Sequence, residues 1–493
     1  MSYSAYVTRI KNVRKHPNAD RLQLGECFGN TVCVDSSYTD NQLGIYFPTD
    51  GKLGVEFAEK NNLLRKKDES GNNVGGYMDP DKRNIKAIKL RGEKSDGLFL
   101  PLTSLETFCT IGDLKEGDKI TVLNGITICE KYIPKRNRAQ GSVSEGNKTR
   151  KKKTPLAPLF VEHADTEQLA YNLGAYKCGD EVEITLKMHG TSQRTAYLPV
   201  LSGYCGSQIA HDIRDRKGIF RFFKPTTRMV EWADKNVTPL YDWGYVSGTR
   251  RVVLETDDGG FYGSNAFRTQ HSKVFEGKLW KGEEVFYEVV GFTDTGASIM
   301  GTVSNKKAGL DKDFSKQYGE ETVFSYGCSP DGVKDRVFEN GDVEYNCVPQ
   351  SAMYVYRMTM TNEDGDVVEY TPDFMRYRCD QMGVKTVPVL WRGRIPEHPG
   401  SESDPTISPG EWIKNVAEQF YDGPDPIGKS HVREGVVVRI VNKPKFCAYK
   451  HKNFSFKVLE GIIKEAATAP DIEEAEELEV EYIAVKKDNT YNI

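Results

Sequence analysis

The chain has 493 residues, of which 28% are charged and 38% hydrophobic, and its formal net charge is −4 at pH 7. Such a length predicts two or three domains with ample core. No run of residues approaches the length of apolar sequence that a membrane-spanning helix needs, and the first residues lack the basic and apolar segments of a secretory signal. The ten cysteines form no CxxC pair, which disfavours a zinc ribbon or a disulfide framework. We therefore expect a cytoplasmic protein without a membrane partner.

Residues 1–125 contain many short segments typical of β-strands, separated by turns rich in Gly, Asn and Asp. The predicted strands cover 4–10, 22–28, 31–35, 44–47, 85–90, 97–100 and 119–122. Closely spaced short strands of this kind indicate a small β-barrel, and the polar segment 61–83 is predicted to be a loop within it.

Two motifs in this region resemble the signatures of tRNA-binding OB domains. The first is HPNADRL, from His16 to Leu22, and the second is IKLRG, which starts at Ile88 and is followed by SDGL. The resemblance implies an OB-like barrel that contacts nucleic acid, with Lys86, Lys89 and Arg91 as candidate phosphate contacts. The alternative is that HPNAD is only a turn with Asn and Asp in their usual places.

Composition divides the rest of the chain into a linker, a large domain and a tail. The segment 126–158 is a basic linker, with eight Lys/Arg and one acid between 135 and 153. The domain 159–465 follows, and a helix capped by Asp165 or Thr166 is predicted near its start. The tail 466–493 is acidic, with seven Asp/Glu between 471 and 481.

The most informative stretch of the large domain runs from Val182 to Ser192. Apolar and polar residues alternate up to Lys187, which predicts a strand with one buried face and a lysine at its end. Gly190 then permits a sharp turn and the close approach of a ligand. A lysine in a cleft can become a nucleophile, although a lone K-x-x-G pattern also fits a surface lysine before a turn.

Two insertions interrupt the later strands, at 200–243 and 292–350. Part of the first insertion, 207–243, interleaves Arg and Lys with aromatic residues, including FRFFK at 220–224. Such a pattern is typical of nucleic-acid binding by charge and stacking, but a helical packing face fits it equally well.

Further charged and aromatic residues follow, each on a predicted strand. Glu434 is followed directly by a glycine, and Glu288 interrupts an apolar run, where a carboxylate is costly unless it is paired or liganded. Each residue alone has an ordinary structural explanation, so the evidence lies in the order along the chain. That order is Lys187, Arg250, Glu288, Tyr356, Glu434, Lys450 and Lys452.

This order resembles the covalent nucleotidyltransferases, which comprise DNA ligases, RNA ligases and capping enzymes. Lys187-Met188-His189-Gly190-Thr191 is similar to the K-x-H-G-T motif of the second family of phage-type RNA ligases, and the likeness spans roughly 180–460. Two positions depart from that family. Leu186 stands where the family often has a Glu that reads the adenine, and Tyr287 stands where it has Gly.

The resemblance implies an α+β fold, in which an ATP-grasp-like nucleotidyltransferase domain of antiparallel sheets with helices follows the barrel. It implies that Lys187 attacks ATP to form a lysyl-AMP, that His189 serves AMP transfer to an RNA 5′-phosphate, and that a 3′-hydroxyl then displaces AMP. The remaining implied roles are nucleotide contact by Leu186 and Gly190, ribose binding by Glu288, adenine stacking by Tyr356, phosphate contact by Arg250, Lys450 and Lys452, and binding of Mg²⁺ or Mn²⁺ by Glu434.

Three alternatives stay open from the sequence. A capping-type guanylyltransferase is compatible with Leu186, whereas His189 disfavours a DNA ligase, because most DNA ligases carry Asp at that position. A non-catalytic RNA-binding protein would keep the scaffold without the covalent adduct. The sequence leaves the form of the RNA substrate, the biological role and the oligomeric state undetermined.

Overall fold

The computed structural model describes residues 3–67, 71, 74–133, 155–163, 166–250, 253–254, 264–338, 340–344, 347–400 and 406–465. The basic run 135–153 and the acidic tail 466–493 both lie wholly outside the described residues. The described chain combines antiparallel sheets with eight α-helices of six to twelve residues. It is therefore an α+β protein, as the sequence predicted.

The N-terminal region consists almost entirely of short strands, and each strand predicted there is present. Its elements are β1 (Ala5–Arg9), β2 (Lys11–Lys15), β3 (Leu22–Cys27), β4 (Asn30–Asp35), β5 (Leu43–Phe47), β6 (Gly51–Leu53), α1 (Val55–Lys60), β7 (Ala87–Leu90), β8 (Glu93–Asp96), β9 (Leu98–Pro101), β10 (Lys119–Ile120), β11 (Val122–Leu123), β12 (Ile126–Thr127) and β13 (Cys129–Lys131). The larger sheets have the strand orders β10-β1-β5-β9 and β2-β3-β4.

The two motifs of this region contact each other. His16 is fully buried, and its Nε2 lies 3.1 Å from the carbonyl oxygen of Leu90, while its Nδ1 accepts a hydrogen bond from the backbone N–H of Asn18. The Asn18 side chain in turn donates to the carbonyl of Arg91. The residues therefore fasten the β2–β3 turn to the β7–β8 turn, which gives the HPNAD segment a structural role.

The large domain contains the remaining elements. They are β14 (Glu167–Gln168), β15 (Glu181–Lys187), β16 (Thr191–Gly206), α2 (Gln208–Asp215), α3 (Thr227–Lys235), β17 (Val237–Gly248), β18 (Val253–Leu254), α4 (Ala266–Lys273), β19 (Glu283–Gly291), β20 (Val303–Ser304), α5 (Lys312–Tyr318), β21 (Glu321–Thr322), β22 (Arg336–Val337), β23 (Val343–Glu344), β24 (Ser351–Thr361), β25 (Val367–Glu369), α6 (Pro372–Met382), β26 (Val389–Arg394), α7 (Pro409–Glu418), β27 (Gly435–Ile440), β28 (Cys447–Lys452) and α8 (Phe454–Glu465).

Two sheets dominate this domain. The first has the order β14-β28-β27-β15-β26, and the second has the order β18-β17-β16-β19-β24-β25. All pairs within them are antiparallel except β14 with β28. The chain passes from the first sheet to the second between Lys187 and Thr191, so the two sheets meet at the predicted motif.

The prediction of a helix that begins at Asp165 or Thr166 is wrong. Glu167 and Gln168 are extended and pair with Tyr449 and Lys450 of β28, and a single 3₁₀ turn follows at Leu169–Tyr171. Pairing with the free edge of β28 satisfies the backbone groups that a helix would otherwise have used. Asp165 itself lies outside the described residues.

The N-terminal region packs closely against the large domain. Tyr6 stacks on Tyr171 with ring centroids 4.6 Å apart. Lys457 of α8 forms a buried ion pair with Asp96 at 2.6 Å, and Lys89 pairs with Asp311 at 3.0 Å. Lys89, a predicted phosphate contact, is thus engaged by the neighbouring domain.

Among the described residues, no helix is both long enough and apolar enough to cross a membrane.

Candidate active site

A cavity of about 710 Å³ lies between the two large sheets, and the N-terminal region supplies part of its wall. All of the residues that the sequence predicted for the site line it: Leu186, Lys187, His189, Gly190, Arg250, Glu288, Tyr356, Glu434, Lys450 and Lys452. Lys187 and Lys452 are far apart in sequence, and the fold brings them together in this cavity.

Strand alternation explains why the three lysines share one wall. Side chains of a strand point alternately to its two faces. In β15 Lys187 lies on the cavity face, while the neighbouring Leu186 borders the cavity but is 2% exposed and belongs to the hydrophobic core. Lys187 pairs with Gly435 of β27, which pairs with Lys452 of β28, and Lys450 lies two residues before Lys452 on the same face.

Lys187 and Glu434 form the central ion pair of the cavity. The Lys187 Nζ lies 2.8 Å from Glu434 Oε1, and Lys452 Nζ approaches the same oxygen at 3.3 Å. Burial and Lys452 would lower the pKa of Lys187, but the nearby carboxylates, chiefly Glu434 and then Glu288, together raise it above its usual value. Burial alone would raise the pKa of Glu434, but Lys187 and Lys452 bring it below its usual value. In the free protein, the predicted nucleophile is therefore a protonated ammonium held by a carboxylate.

Helix α8 holds the second lysine of the K-x-K pair. Asn453 caps the helix by accepting hydrogen bonds from the N–H groups of Ser455 and Phe456, and its own N–H donates to the carbonyl of Glu434 at 2.8 Å. The helix then presents Glu460, whose carboxylate accepts two hydrogen bonds from Lys452 Nζ. Glu460 was not identified from the sequence.

Residues of the second insertion, 292–350, contact the turn that follows Lys187. The N–H of His189 donates to Tyr326 Oη at 2.7 Å, and the imidazole ring packs edge-on against Phe324 and Phe456. Burial lowers the pKa of His189 to about 4, so the ring is neutral at pH 7. The segment 292–350, to which the sequence assigned no role, therefore supplies Tyr326 and Phe324 to the floor of the site.

Gly190 is required where the two sheets cross. A Cβ at this position would lie 2.3 Å from the carbonyl oxygen of Val289, which no side chain could tolerate. The backbone N–H of Gly190 donates to Glu288 Oε1 at 3.1 Å. This contact fixes the Glu288 carboxylate at the mouth of the K-x-H-G turn.

The opposite wall carries Tyr356, whose hydroxyl lies 3.0 Å from Ser192 Oγ. Arg250 also borders the cavity, and its backbone carbonyl accepts a hydrogen bond from the N–H of His163. The residue that departs from the family, Tyr287, points to the other face of its sheet, where it is fully buried and its hydroxyl lies 2.9 Å from Thr195 Oγ1. This departure therefore leaves the cavity unchanged.

Two arginines on the cavity rim were missed from the sequence. Arg376 makes two hydrogen bonds to the carboxylate of Glu183, and Arg439 donates to the carbonyl of Tyr370. Both line the cavity. The one available signal was Glu183, which shares the cavity face of β15 with Lys187, since its buried carboxylate requires a cationic partner.

The carboxylate of Glu434 is suited to a divalent cation. Its Oε2 is buried and accepts no hydrogen bond, and carboxylate oxygens are the preferred ligands of Mg²⁺ and Mn²⁺. Within the described ranges, however, no three His, Cys, Asp or Glu side chains are grouped so that they could hold a metal ion. A cation at Glu434 would need further oxygen ligands from a bound substrate or from water.

Comparisons with known proteins gave matches only among solved structures. No family model matches the chain, and none of the curated proteins matches it. The similar structures include a Lys-to-Met mutant of Naegleria gruberi RNA ligase with AMP and Mn, at 16% identity and a TM-score of 0.49, covering 92% of this chain and 97% of that one. They also include a Lys-to-Ala mutant with ATP and Mn at 15% identity and a TM-score of 0.48, covering 93% and 98%. A structure of the same ligase with PPi has 14% identity and a TM-score of 0.47, covering 92% and 97%.

Proposed function

We propose that the protein is an ATP-dependent RNA ligase that joins a 3′-hydroxyl to a 5′-phosphate through a covalent lysyl-AMP. The observation that carries the proposal is the position of Lys187, which lies at the end of a strand, inside a cavity, 2.8 Å from a buried carboxylate. Two more lysines share its wall, and a carboxylate and a tyrosine occupy the opposite wall.

In the first step, Lys187 Nζ forms a bond to the α-phosphorus of ATP, the bond from that phosphorus to the bridging oxygen breaks, and pyrophosphate leaves. Lys450, Lys452 and Arg250 would offset the phosphate charge, since phosphoryl transfer depends chiefly on alignment and electrostatic stabilisation. Glu288 would accept hydrogen bonds from the ribose and Tyr356 would stack on the adenine.

The lysine must lose its proton before it attacks. In the free protein Glu434 keeps it charged, so binding of ATP has to weaken that ion pair. Glu434 is the residue that would hold Mg²⁺ or Mn²⁺, and the cation would supply charge neutralisation at the phosphates. With its carboxylate so engaged, Glu434 would stabilise the Lys187 ammonium less, and the pKa of Lys187 would fall.

In the second step, a 5′-phosphate oxygen of RNA attacks the AMP phosphorus, the bond to Lys187 Nζ breaks, and a 5′-to-5′ pyrophosphate forms. In the third, a 3′-hydroxyl attacks the RNA phosphate and AMP leaves. His189 is neutral and buried beside Lys187 and Glu434, so we assign it to orienting these groups during the second step.

We further propose that the N-terminal strands form an OB-like domain at 1–125, joined by the basic linker 126–158 to a nucleotidyltransferase domain at 159–465. Contacts between the N-terminal region and the cavity wall support a shared substrate channel. The partners would be RNA ends, the location cytoplasmic and the role RNA repair.

The test is incubation with Mg²⁺ and ATP labelled at the α-phosphate, followed by intact mass and peptide mapping. Wild-type protein should gain one AMP on the peptide that contains Lys187, and Lys187→Ala should gain none. Lys187→Arg is the matched control, because it keeps the positive charge beside Glu434 but cannot form the adduct.

Other outcomes separate the alternatives. A GMP adduct with GTP and none with ATP would identify capping chemistry. An adduct that persists in Lys187→Ala would refute the assignment of the nucleophile. RNA retention without any adduct, in folded protein free of bound AMP, would identify a binding protein.

A further inference from the structure

The insertion between β16 and β17 folds into a helical hairpin that leaves large aromatic side chains in solvent. The hairpin consists of α2, a 3₁₀ turn at Gly218–Arg221, and α3. Phe222 and Phe223 follow the turn and are 83% and 72% exposed, and Trp232 on α3 is 46% exposed. Exposed apolar patches of this kind indicate an interaction site.

These aromatic residues are not needed to hold the hairpin together. The hairpin has its own small core, formed by Ala210, Ile213, Ala233 and Val237, with Phe220 packed against it. Ser207 and Thr226 cap the two helices by accepting hydrogen bonds from the N–H groups of Ala210 and Met229. The prediction of a helical packing face thus holds for Phe220, whereas Phe222 and Phe223 lie outside this core and are exposed.

The segment that carries the exposed phenylalanines is basic, although the two flanking helices also carry Asp212, Asp215, Glu231 and Asp234. Between residues 216 and 228 there are five basic side chains and no acidic one. Arg216, Arg221, Lys224 and Arg228 are all exposed. On α3, Arg228 and Trp232 lie four residues apart and therefore share one face of the helix.

We propose that this hairpin is a second RNA-binding element, which grips the substrate strand at a distance from the joined ends. The inference rests on the proposed ligase function. Cations attract the phosphates and aromatic rings stack on bases, and this combination is the usual basis of binding to single-stranded nucleic acid without sequence preference. The arginine and lysine side chains near the phenylalanines would not strengthen the binding of a purely apolar partner.

The length of β16 sets the distance over which the hairpin acts. The strand has 16 residues and runs from Thr191, beside the cavity, to Gly206, where the hairpin begins. At about 3.3 Å per residue this separation is up to about 50 Å. A stacked nucleic-acid strand advances about 3.4 Å per nucleotide, so the hairpin would engage substrate at most about 15 nucleotides from the ends.

The test compares the affinity of the full-length protein for short and long 5′-phosphorylated RNA, with 8 and 30 nucleotides as the two lengths. The variant is the double substitution Phe222→Leu with Phe223→Leu, which keeps apolar bulk but removes both rings. We expect its dissociation constant for the long RNA to rise by about tenfold or more, and that for the short RNA to stay within about twofold. Ile209→Ala, at an equally exposed aliphatic residue of the same hairpin, is the matched control and should change neither.

Formation of lysyl-AMP is measured in the same variants, and we expect it to be unchanged, since the hairpin is remote from Lys187. Equal affinity of wild type and the double variant for the long RNA would overturn the inference, whatever the adduct assay shows. The inference would also be overturned if the hairpin bound anionic vesicles or a protein partner and the double substitution to Leu left that binding unchanged. Failure of wild type to form lysyl-AMP, with RNA binding still dependent on the two rings, would refute the ligase function and leave the RNA-binding element standing.

Discussion

At the scale of single residues, the charge state of Lys187 is the central question. The proposed mechanism needs a neutral amine, yet the fold gives Lys187 a carboxylate partner at 2.8 Å, which raises its pKa. The same carboxylate keeps one buried oxygen without a hydrogen bond. Under the proposed function, Glu434 would both hold the lysine in its unreactive, charged form and offer a ligand to the cation that weakens this ion pair.

Replacing Glu434 with Gln should lower the pKa of Lys187. The substitution removes the largest attraction that raises the pKa and leaves burial and Lys452, which lower it, opposed by the weaker attraction of Glu288. In the variant, labelling of Lys187 by an amine-reactive reagent should begin at a lower pH than in wild type. The pH dependence of labelling, measured by peptide mass, checks this without any catalysis.

Glu460→Gln provides the comparison for this experiment. Glu460 binds Lys452 rather than Lys187, so its loss should move the labelling of Lys187 much less. An unchanged labelling profile in Glu434→Gln would show that the ion pair does not control the state of the lysine.

At the scale of elements, the site depends on the register of β15, β27 and β28. Gly435 is the point of closest approach, with φ of +148° and with room for no Cβ, which would lie 2.1 Å from the carbonyl oxygen of His451. Lys187 and Lys452 flank it on the two neighbouring strands. A side chain at 435 would push these strands apart.

Two glycine substitutions should therefore change stability in opposite directions. Gly435→Ala should destabilise the protein by about 2 kcal/mol or more, because backbone atoms must move. Gly461→Ala, in the interior of α8 and facing open space, should stabilise it by about 0.5–1 kcal/mol, because alanine favours helix. Thermal unfolding of both variants beside wild type measures the shifts. This account of the backbone would be contradicted if Gly461→Ala lowered the unfolding temperature, or if Gly435→Ala did not lower it.

The elements also show which features the sequence could predict. Strand alternation and turn residues located β15 and most N-terminal strands, because these signals are local. The helix predicted near Thr166 failed because pairing with β28, far away in the chain, outweighed the local capping signal. Tyr326 and Glu460 could not be found, since they reach the site only through the packing of an insertion and of α8.

At the scale of the whole molecule, buried histidines make stability depend on pH. Burial lowers the pKa of both His189 and His271 to about 4, against about 6.5 in an unfolded chain. Above pH 6.5 both are neutral in either state and contribute no pH dependence. As the pH falls from 6.5 towards 4, the unfolded chain binds protons that the folded chain cannot accept, so stability falls.

Because the two pKa values are alike, the loss at pH 4 should be of the order of 3 kcal/mol for each histidine. His271→Gln offers the cleanest test, because this residue does not line the cavity and the hydrogen bond described for its side chain is with Ser351 Oγ. Urea unfolding at pH 7 and at pH 5 should show a smaller drop in stability for His271→Gln than for wild type, because one group that binds protons only in the unfolded state has been removed. Equal drops in stability would mean that His271 has the same pKa in the folded and unfolded chain. The acid sensitivity would then have to come from His189 and from carboxylates whose pKa the fold lowers, such as Glu434.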